Sequence, residues 1–200
     1  MVGGTMTRYA DRTVSTLLRG VAAPDPTPGA GPTLAVTAAF AASLVEMVSA
    51  VTLRGADDGD ALRARAARAA ELLERALELA EEDAVAYRGV MAVLRRRGEP
   101  GHGQRLREAL SAAADPPLRI VELAAEVARM AADAAQAARG GVRGEAITAA
   151  ILAESVVRAG GPILALNLAG SPDDPRRARA AELARAAEAD VRRAQERPSG

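Results

Sequence analysis

Between Leu34 and Leu53 the chain carries a single charged residue, Glu46. Strands rarely exceed about ten residues, so an apolar run of this length is typical of a long helix. Because apolar residues occur on all sides of this helix, it has to be covered on nearly every face. The segment from Glu145 to Leu168 has the same character and carries three charged residues. Together the two segments predict a helical bundle with two buried helices at its centre.

The amino-acid composition favours helices over sheets. Hydrophobic residues make up 49% of the 200-residue chain but aromatic residues only 2%, so the core is built from Ala, Leu, Val and Ile. No stretch shows the two-residue alternation of a half-buried strand. We therefore predict an all-α fold, a compact helical bundle of five or six helices with two buried central helices, in a single domain over residues 1–200. The segments with helical periodicity are residues 8–19, 33–53, 60–97, 104–114, 115–139, 145–168 and 171–195.

Charge and residue usage exclude several classes of protein. The 26 basic residues balance the 26 acidic ones, which removes the electrostatic signature of a nucleic-acid-binding protein. The absence of Cys excludes disulfides, thiolate metal sites and a cysteine nucleophile. The single histidine, His102, lies in a predicted exposed loop between two glycines without companion ligands, so we predict no metal site. The N-terminus lacks the pattern of a signal peptide, and a cytoplasmic location is the default expectation.

A membrane-spanning role is the main alternative for the two apolar segments. Both approach the roughly 20 residues that cross a bilayer. Both are also rich in Ala, Ser and Thr and contain a charge near the middle, whose insertion into lipid costs a few kcal/mol. We favour burial in protein and expect no membrane partner.

A loop rich in proline and glycine, residues 24–32, precedes the first apolar helix. Side chains barely shield the backbone of such a loop. The following helix N-terminus can therefore hold an anion or a polar ligand.

Four patches in a fixed order resemble the cyclodeaminase and cyclohydrolase family. This family comprises the C-terminal domain of formiminotransferase-cyclodeaminase and the bacterial methenyltetrahydrofolate cyclohydrolases. The patches are residues 26–31 (PTPGAG) with 47–52 (MVSAVT), similar to P-x-P-G-G-G-S and M-V-x-x-L-T; residues 82–87 (EDAVAY), similar to D-A-x-A-F; residues 117–122 (PLRIVE), similar to V-P-L-x-x-A-E; and residues 149–154 (AAILAE) with Asn167 and Leu168, in the places of S-D-x-x-V-A-A and I-N-L.

The resemblance implies an all-α homodimer that acts on a one-carbon unit carried by a tetrahydrofolate derivative, with no covalently bound cofactor. In the cyclodeaminase reaction N10 attacks the formimino carbon and ammonia leaves, whereas in the cyclohydrolase reaction water opens the methenyl bridge. Both reactions need proton transfer at a tetrahedral intermediate, which a carboxylate can perform. Asp83 matches the motif acid and is the expected catalytic residue. The expected ligand-binding residues are Asp25, Gly29, Gly31, Thr33, Arg54, Glu145 and Asn167.

Other interpretations of the acidic residues stay open. Residues 81–83 (EED) can equally form a solvated charge run. Glu46 and Glu154 lie inside the apolar segments, where they are either functional acids or structural groups, in an ion pair with Arg158 or at a dimer interface.

The chain also differs from the family pattern at ligand-facing positions. Ala30 stands in place of a loop glycine, Pro32 in place of a serine and Ile163 in place of an asparagine. Residues 54–59 (RGADDG) replace a basic stretch, and Gly144 with Glu145 replaces a Ser-Asp pair. These differences leave a second function open, that of a catalytically degenerate family member serving as a dimeric binding or structural protein.

Overall fold

The computed structural model describes residues 8–25, 27–54, 59–138 and 140–196. Across these ranges the chain forms helices, turns and loops without a strand, which confirms the all-α prediction. They contain seven α-helices, of which the last six pack together as the predicted compact bundle. The helices are α1 (Val14–Ala22), α2 (Ala30–Leu53), α3 (Asp60–Arg95), α4 (His102–Ala112), α5 (Asp115–Ala137), α6 (Arg143–Asn167) and α7 (Pro175–Gln195).

The first helix differs most from its predicted bounds. Residues 9–11 form a short 3-10 turn, and α1 begins only after Thr13, whose side chain accepts a hydrogen bond from the backbone N–H of Thr16 at 3.1 Å. Such a cap satisfies a helix N–H that would otherwise lack a partner. At the other end α1 continues through Gly20 to Ala22, because a single glycine weakens a helix without ending it.

The predicted loop around His102 is also partly wrong. Gly101 adopts a left-handed conformation, with φ at 74°, and turns the chain directly into α4, which begins at His102. The histidine is half-buried, and its Nδ1 is enclosed without a hydrogen-bond partner.

Alanine dominates the contacts that hold the bundle together. α2 packs on α3 and α6, while α5 packs on α6 and α7. Every seventh residue of α7 is a buried alanine, at Ala180, Ala187 and Ala194, so this charged helix packs along one narrow stripe. Small side chains allow the helix axes to approach closely, which is the form of packing that an aromatic-poor sequence can achieve.

One face of α2 and α6 remains open, which corrects the expectation that α2 is covered on nearly every face. The α2 residues that recur at steps of three and four positions between Thr33 and Val51 are half-buried or exposed. Phe40, near the centre of this stripe, is 54% exposed. Ile151 on the adjacent α6 is 43% exposed. Both helices are long and apolar enough to cross a membrane by length and composition, and less than half of each apolar window is buried, 44% and 39%.

Candidate active site

A cavity of about 430 Å³ opens where four helices converge. It lies between the first turn of α2, the middle of α3, the inner side of α4 and the last turn of α6. A volume of this size is typical of small-molecule sites. The lining residues are Thr27, Gly29, Ala30, Gly31, Asp83, Tyr87, Leu110, Ala113, Ile163, Leu166 and Asn167.

Asp83 is the one charged residue among these lining residues, and it contacts the start of α2. A Cβ atom added to Gly31 would lie 2.2 Å from Cγ of Asp83, well inside van der Waals contact. Glycine is therefore required at position 31 for the carboxylate to approach the α2 backbone this closely. Within the described ranges Asp83 has no hydrogen-bond or ion-pair partner.

Burial raises the pKa of Asp83 to about 6, because the ionised carboxylate loses water and gains no compensating partner. Both protonation states are consequently accessible close to neutral pH. A carboxyl group in this condition can donate a proton to one atom and accept a proton from another during a single turnover.

The two acids that precede Asp83 have quite different surroundings. Glu81 accepts a hydrogen bond from the backbone N–H of Tyr9. Glu82 forms ion pairs with Arg75 at 2.7 Å and with Arg119 at 3.3 Å. The three consecutive acids therefore do not form a single solvated charge run, because the helix directs each of them to a different environment.

Asn167 reaches the cleft from the last turn of α6. Its Nδ2 donates a hydrogen bond to the carbonyl oxygen of Ala113 at 2.8 Å, which ties α6 to the end of α4. Because this bond engages the amide nitrogen of Asn167, the amide oxygen of the side chain can accept a hydrogen bond from a ligand.

Of the residues that the sequence analysis expects at the site, the structure brings Gly29, Gly31, Asp83 and Asn167 together at one cleft. Thr33 lies one turn further along α2, outside the lining, and its hydroxyl donates to the carbonyl of Gly29 at 2.8 Å. Its role is therefore to support the loop backbone at Gly29 and not to line the cavity.

Three other predicted ligand-binding residues are not among the lining residues of this cleft in the single chain. Asp25 is exposed in the loop after α1. Arg54 follows the last residue of α2, about 35 Å from the Gly31 end at 1.5 Å per residue. Glu145 lies in the first turn of α6, about 33 Å from Asn167. The start of α2 and the end of α6 both lie at the cleft, so the two helices run antiparallel. Arg54 and Glu145, at the other ends of these helices, therefore lie at the opposite end of the bundle.

Sequence reasoning missed several lining residues. Tyr87, the last residue of the 82–87 patch, was not among the expected site residues, yet it is 40% exposed and lines the cleft one turn after Asp83. The four-residue spacing between the two could have revealed this. Nothing in the sequence pointed to Leu110 and Ala113, because α4 had no link to the site before its packing was known.

The glutamate inside α6 has a structural partner. Oε1 of Glu154 lies 3.4 Å from Nε of Arg158, one helical turn away, so the ion-pair interpretation holds for this residue. Within the described ranges no three His, Asp or Glu side chains are grouped as a metal site requires.

Over its described residues the protein is all-helical, and a half-buried carboxylate without a partner in those ranges faces the glycine-rich start of a long apolar helix. A family model described as formiminotransferase-cyclodeaminase matches residues 13–187. The chain belongs to this family.

A solved structure shares the fold. The crystal structure of formiminotetrahydrofolate cyclodeaminase from Thermotoga maritima aligns with a TM-score of 0.79, over 93% of this chain and 95% of that one, at 22% sequence identity. At that identity the likeness establishes the arrangement of the helices. A comparison with curated proteins gives no match.

Proposed function

We propose that this chain acts in folate one-carbon metabolism, on a C–N bond of a tetrahydrofolate derivative, as a cyclodeaminase or a cyclohydrolase. The observation that carries the proposal is the half-buried Asp83 carboxylate against Gly31 in the cleft. Family membership over residues 13–187 supports the same chemistry.

Asp83 is the proton-transfer group of the proposed reaction. In the cyclodeaminase direction N10 adds to the formimino carbon, the C=N double bond becomes single, and the amino nitrogen needs a proton before it leaves as ammonia. A protonated Asp83 supplies that proton, and its carboxylate form accepts the one that N10 releases. In the cyclohydrolase reaction the Asp83 carboxylate takes a proton from the water molecule that attacks the methenyl bridge.

The apolar lining of the cleft assists this chemistry. Leu110, Ile163 and Leu166 line the same cleft as the Asp83 carboxyl group, whose burial keeps its pKa high. The Asn167 amide oxygen and the Thr27 hydroxyl supply the polar contacts that orient a bound pterin.

The decisive experiment measures both reactions with purified protein. One assay follows the formation of methenyltetrahydrofolate from formiminotetrahydrofolate, and the other follows the hydrolysis of methenyltetrahydrofolate. The Asp83→Asn variant is the control, since it keeps the size of the side chain and removes the proton transfer. We expect wild-type turnover and at least about a 100-fold loss in the variant. Equal rates for the two proteins at saturating substrate would defeat the proposal.

The second candidate function is a degenerate family member that binds without catalysis. Ala30 and Ile163 favour it, because both line the cleft at positions where the family pattern has glycine and asparagine. Folate binding by the wild-type chain without turnover in either assay would identify this alternative.

We also propose that a second copy of the chain, and not a membrane, covers the open face of α2. The stripe Thr33, Thr37, Phe40, Leu44, Met47 and Val51 alternates steps of three and four residues, which is the spacing of helix-to-helix seams. Its hydroxyl groups suit a protein partner better than lipid.

The seam is centred near residue 42, midway along α2. A two-fold axis through this point pairs α2 with the antiparallel α2 of the second copy. The end of α2 in one copy then lies beside the start of α2 in the other. Arg54 of one copy would then approach the Gly31 end of the other, which is the arrangement in which the expected ligand role of Arg54 can be fulfilled.

A further inference from the structure

A second cavity, of about 290 Å³, adjoins the candidate active site. The two cavities share Leu110 and Asn167 as lining residues, so they meet along the inner side of α4. The second extends from there towards Gly103 at the start of α4 and Gly170 after α6. Leu110 and Asn167 therefore form the boundary between the two neighbouring cavities.

Among the described residues that line the second cavity, Arg107 is the one that carries a charge. Its aliphatic part passes Gly170, where an added Cβ would lie 4.0 Å from Cγ and Cδ of the arginine. Its Nη1 lies near Gly103, where an added Cβ would be 3.7 Å away. Both distances correspond to ordinary van der Waals contact, so Arg107 lies alongside the two glycines of the cavity lining.

The Arg107 guanidinium also differs from neighbouring arginines in its contacts. Arg105, on the same helix, bonds to the carbonyl of Pro100 at 2.7 Å and to Glu99 at 3.2 Å. Arg176, beyond the far side of the cavity, is held by Asp174 at 2.8 Å and Asp115 at 2.6 Å. Within the described ranges Arg107 has no hydrogen-bond or ion-pair partner. Its five N–H donors are available to an anionic ligand.

We propose that Arg107 binds a carboxylate at the far end of the substrate, with the reacting carbon at Asp83. The proposal rests on the proposed function, because tetrahydrofolate derivatives carry glutamate at the end opposite the pterin. The two neighbouring cavities match such a molecule in the order of their charged groups, with Asp83 in one and Arg107 in the other. A guanidinium can hold a carboxylate through two parallel hydrogen bonds.

The test compares two probes in titration calorimetry with the full chain: 5-formyltetrahydrofolate, and 5-formyltetrahydropteroate, which lacks the glutamate. The variant is Arg107→Gln, which keeps hydrogen-bonding capacity and removes the charge. Arg185→Gln is the matched control, since Arg185 is exposed on α7 and lines neither cavity. Arg54→Gln tests whether a carboxylate reaches the other end of α2 in a second copy.

We expect Arg107→Gln to weaken binding of the glutamate-bearing probe by about 10-fold or more and to leave the glutamate-free probe unchanged. Arg185→Gln should alter neither. Loss in Arg54→Gln with none in Arg107→Gln, or equal loss of both probes, would overturn this inference alone. If the wild-type chain binds neither probe, the proposed function falls together with it.

Discussion

The burial of Asp83 lowers the stability of the fold at neutral pH, and the same burial makes the carboxyl group suited to proton transfer. Its pKa of about 6 in the folded chain lies above the ordinary value near 3.8. Folding therefore favours the protonated form of this carboxyl group, and ionising it destabilises the fold. Groups at functional sites often show this opposition between stability and activity.

The first prediction concerns Asp83→Asn and the free energy of unfolding. As pH rises from about 4 to about 6, ionisation of Asp83 progressively destabilises the wild type, and the loss is complete above pH 6. Asn carries no charge, so the variant should be more stable than wild type by roughly 1–2 kcal/mol at about pH 7. The difference should vanish below about pH 4. Urea unfolding at the two pH values measures it, and a variant less stable at neutral pH would contradict the assigned burial.

The second prediction concerns Gly31→Ala. The new methyl group would lie 2.2 Å from the Asp83 carboxyl carbon, so Asp83 has to move out of its position against α2. We expect turnover to fall at least about 10-fold and stability to fall by about 1–3 kcal/mol. Steady-state kinetics with thermal unfolding checks both. Gly89→Ala serves as control, because a Cβ at Gly89 meets nothing within 4 Å.

At the scale of helices, the contact between α5 and α6 depends on the absence of one side chain. A Cβ added to Gly160 would lie 2.3 Å from Cγ2 of Val121. The glycine weakens α6 as an isolated helix, and the close approach of α5 compensates for that weakness. Pro162 follows in the same turn, and α6 nevertheless continues to Asn167.

The third prediction compares Gly160→Ala with Gly89→Ala. Both substitutions make the same chemical change inside a helix, but only the first introduces a clash. We expect Gly160→Ala to lower the free energy of unfolding by about 1–2 kcal/mol and Gly89→Ala to raise it by about 0.5–1 kcal/mol. Urea unfolding of the two variants gives the values. Similar effects in both would show that propensity outweighs packing at Gly160.

Most helices could be predicted from the sequence because their signals are local. Asp174 and Pro175 give the start of α7, and Asp115 with Pro116 gives the start of α5. The first helix was displaced because the predicted span ignored Thr13, whose capping hydrogen bond decides where α1 begins.

At the scale of the whole molecule, the seam on α2 continues onto α6, where Leu152 lines the same open apolar surface. Phe40 is the largest side chain in it, and the seam lies across the middle of both helices. Exposed apolar surfaces of this kind are typical of interfaces between proteins.

The fourth prediction concerns the oligomeric state. We expect the wild-type chain to sediment as a dimer and Phe40→Asp to sediment as a monomer at the same concentration, since a charge in the seam would have to be buried unpaired. Val85→Asp is the control, because Val85 is 59% exposed on α3 outside the seam. A monomeric wild type would refute the dimer.

The sequence by itself determined the secondary structure, the alanine-built core and the family, because helical periodicity, capping residues and motif order are local or linear properties. Helical periodicity could not decide which of three consecutive acids faces the cleft, since Glu81, Glu82 and Asp83 differ mainly in what other helices bring beside them. The tertiary structure decided that Asp83 meets Gly31, and that Arg54 lies at the far end of α2. Those outcomes depend on how distant segments pack, which no local pattern encodes.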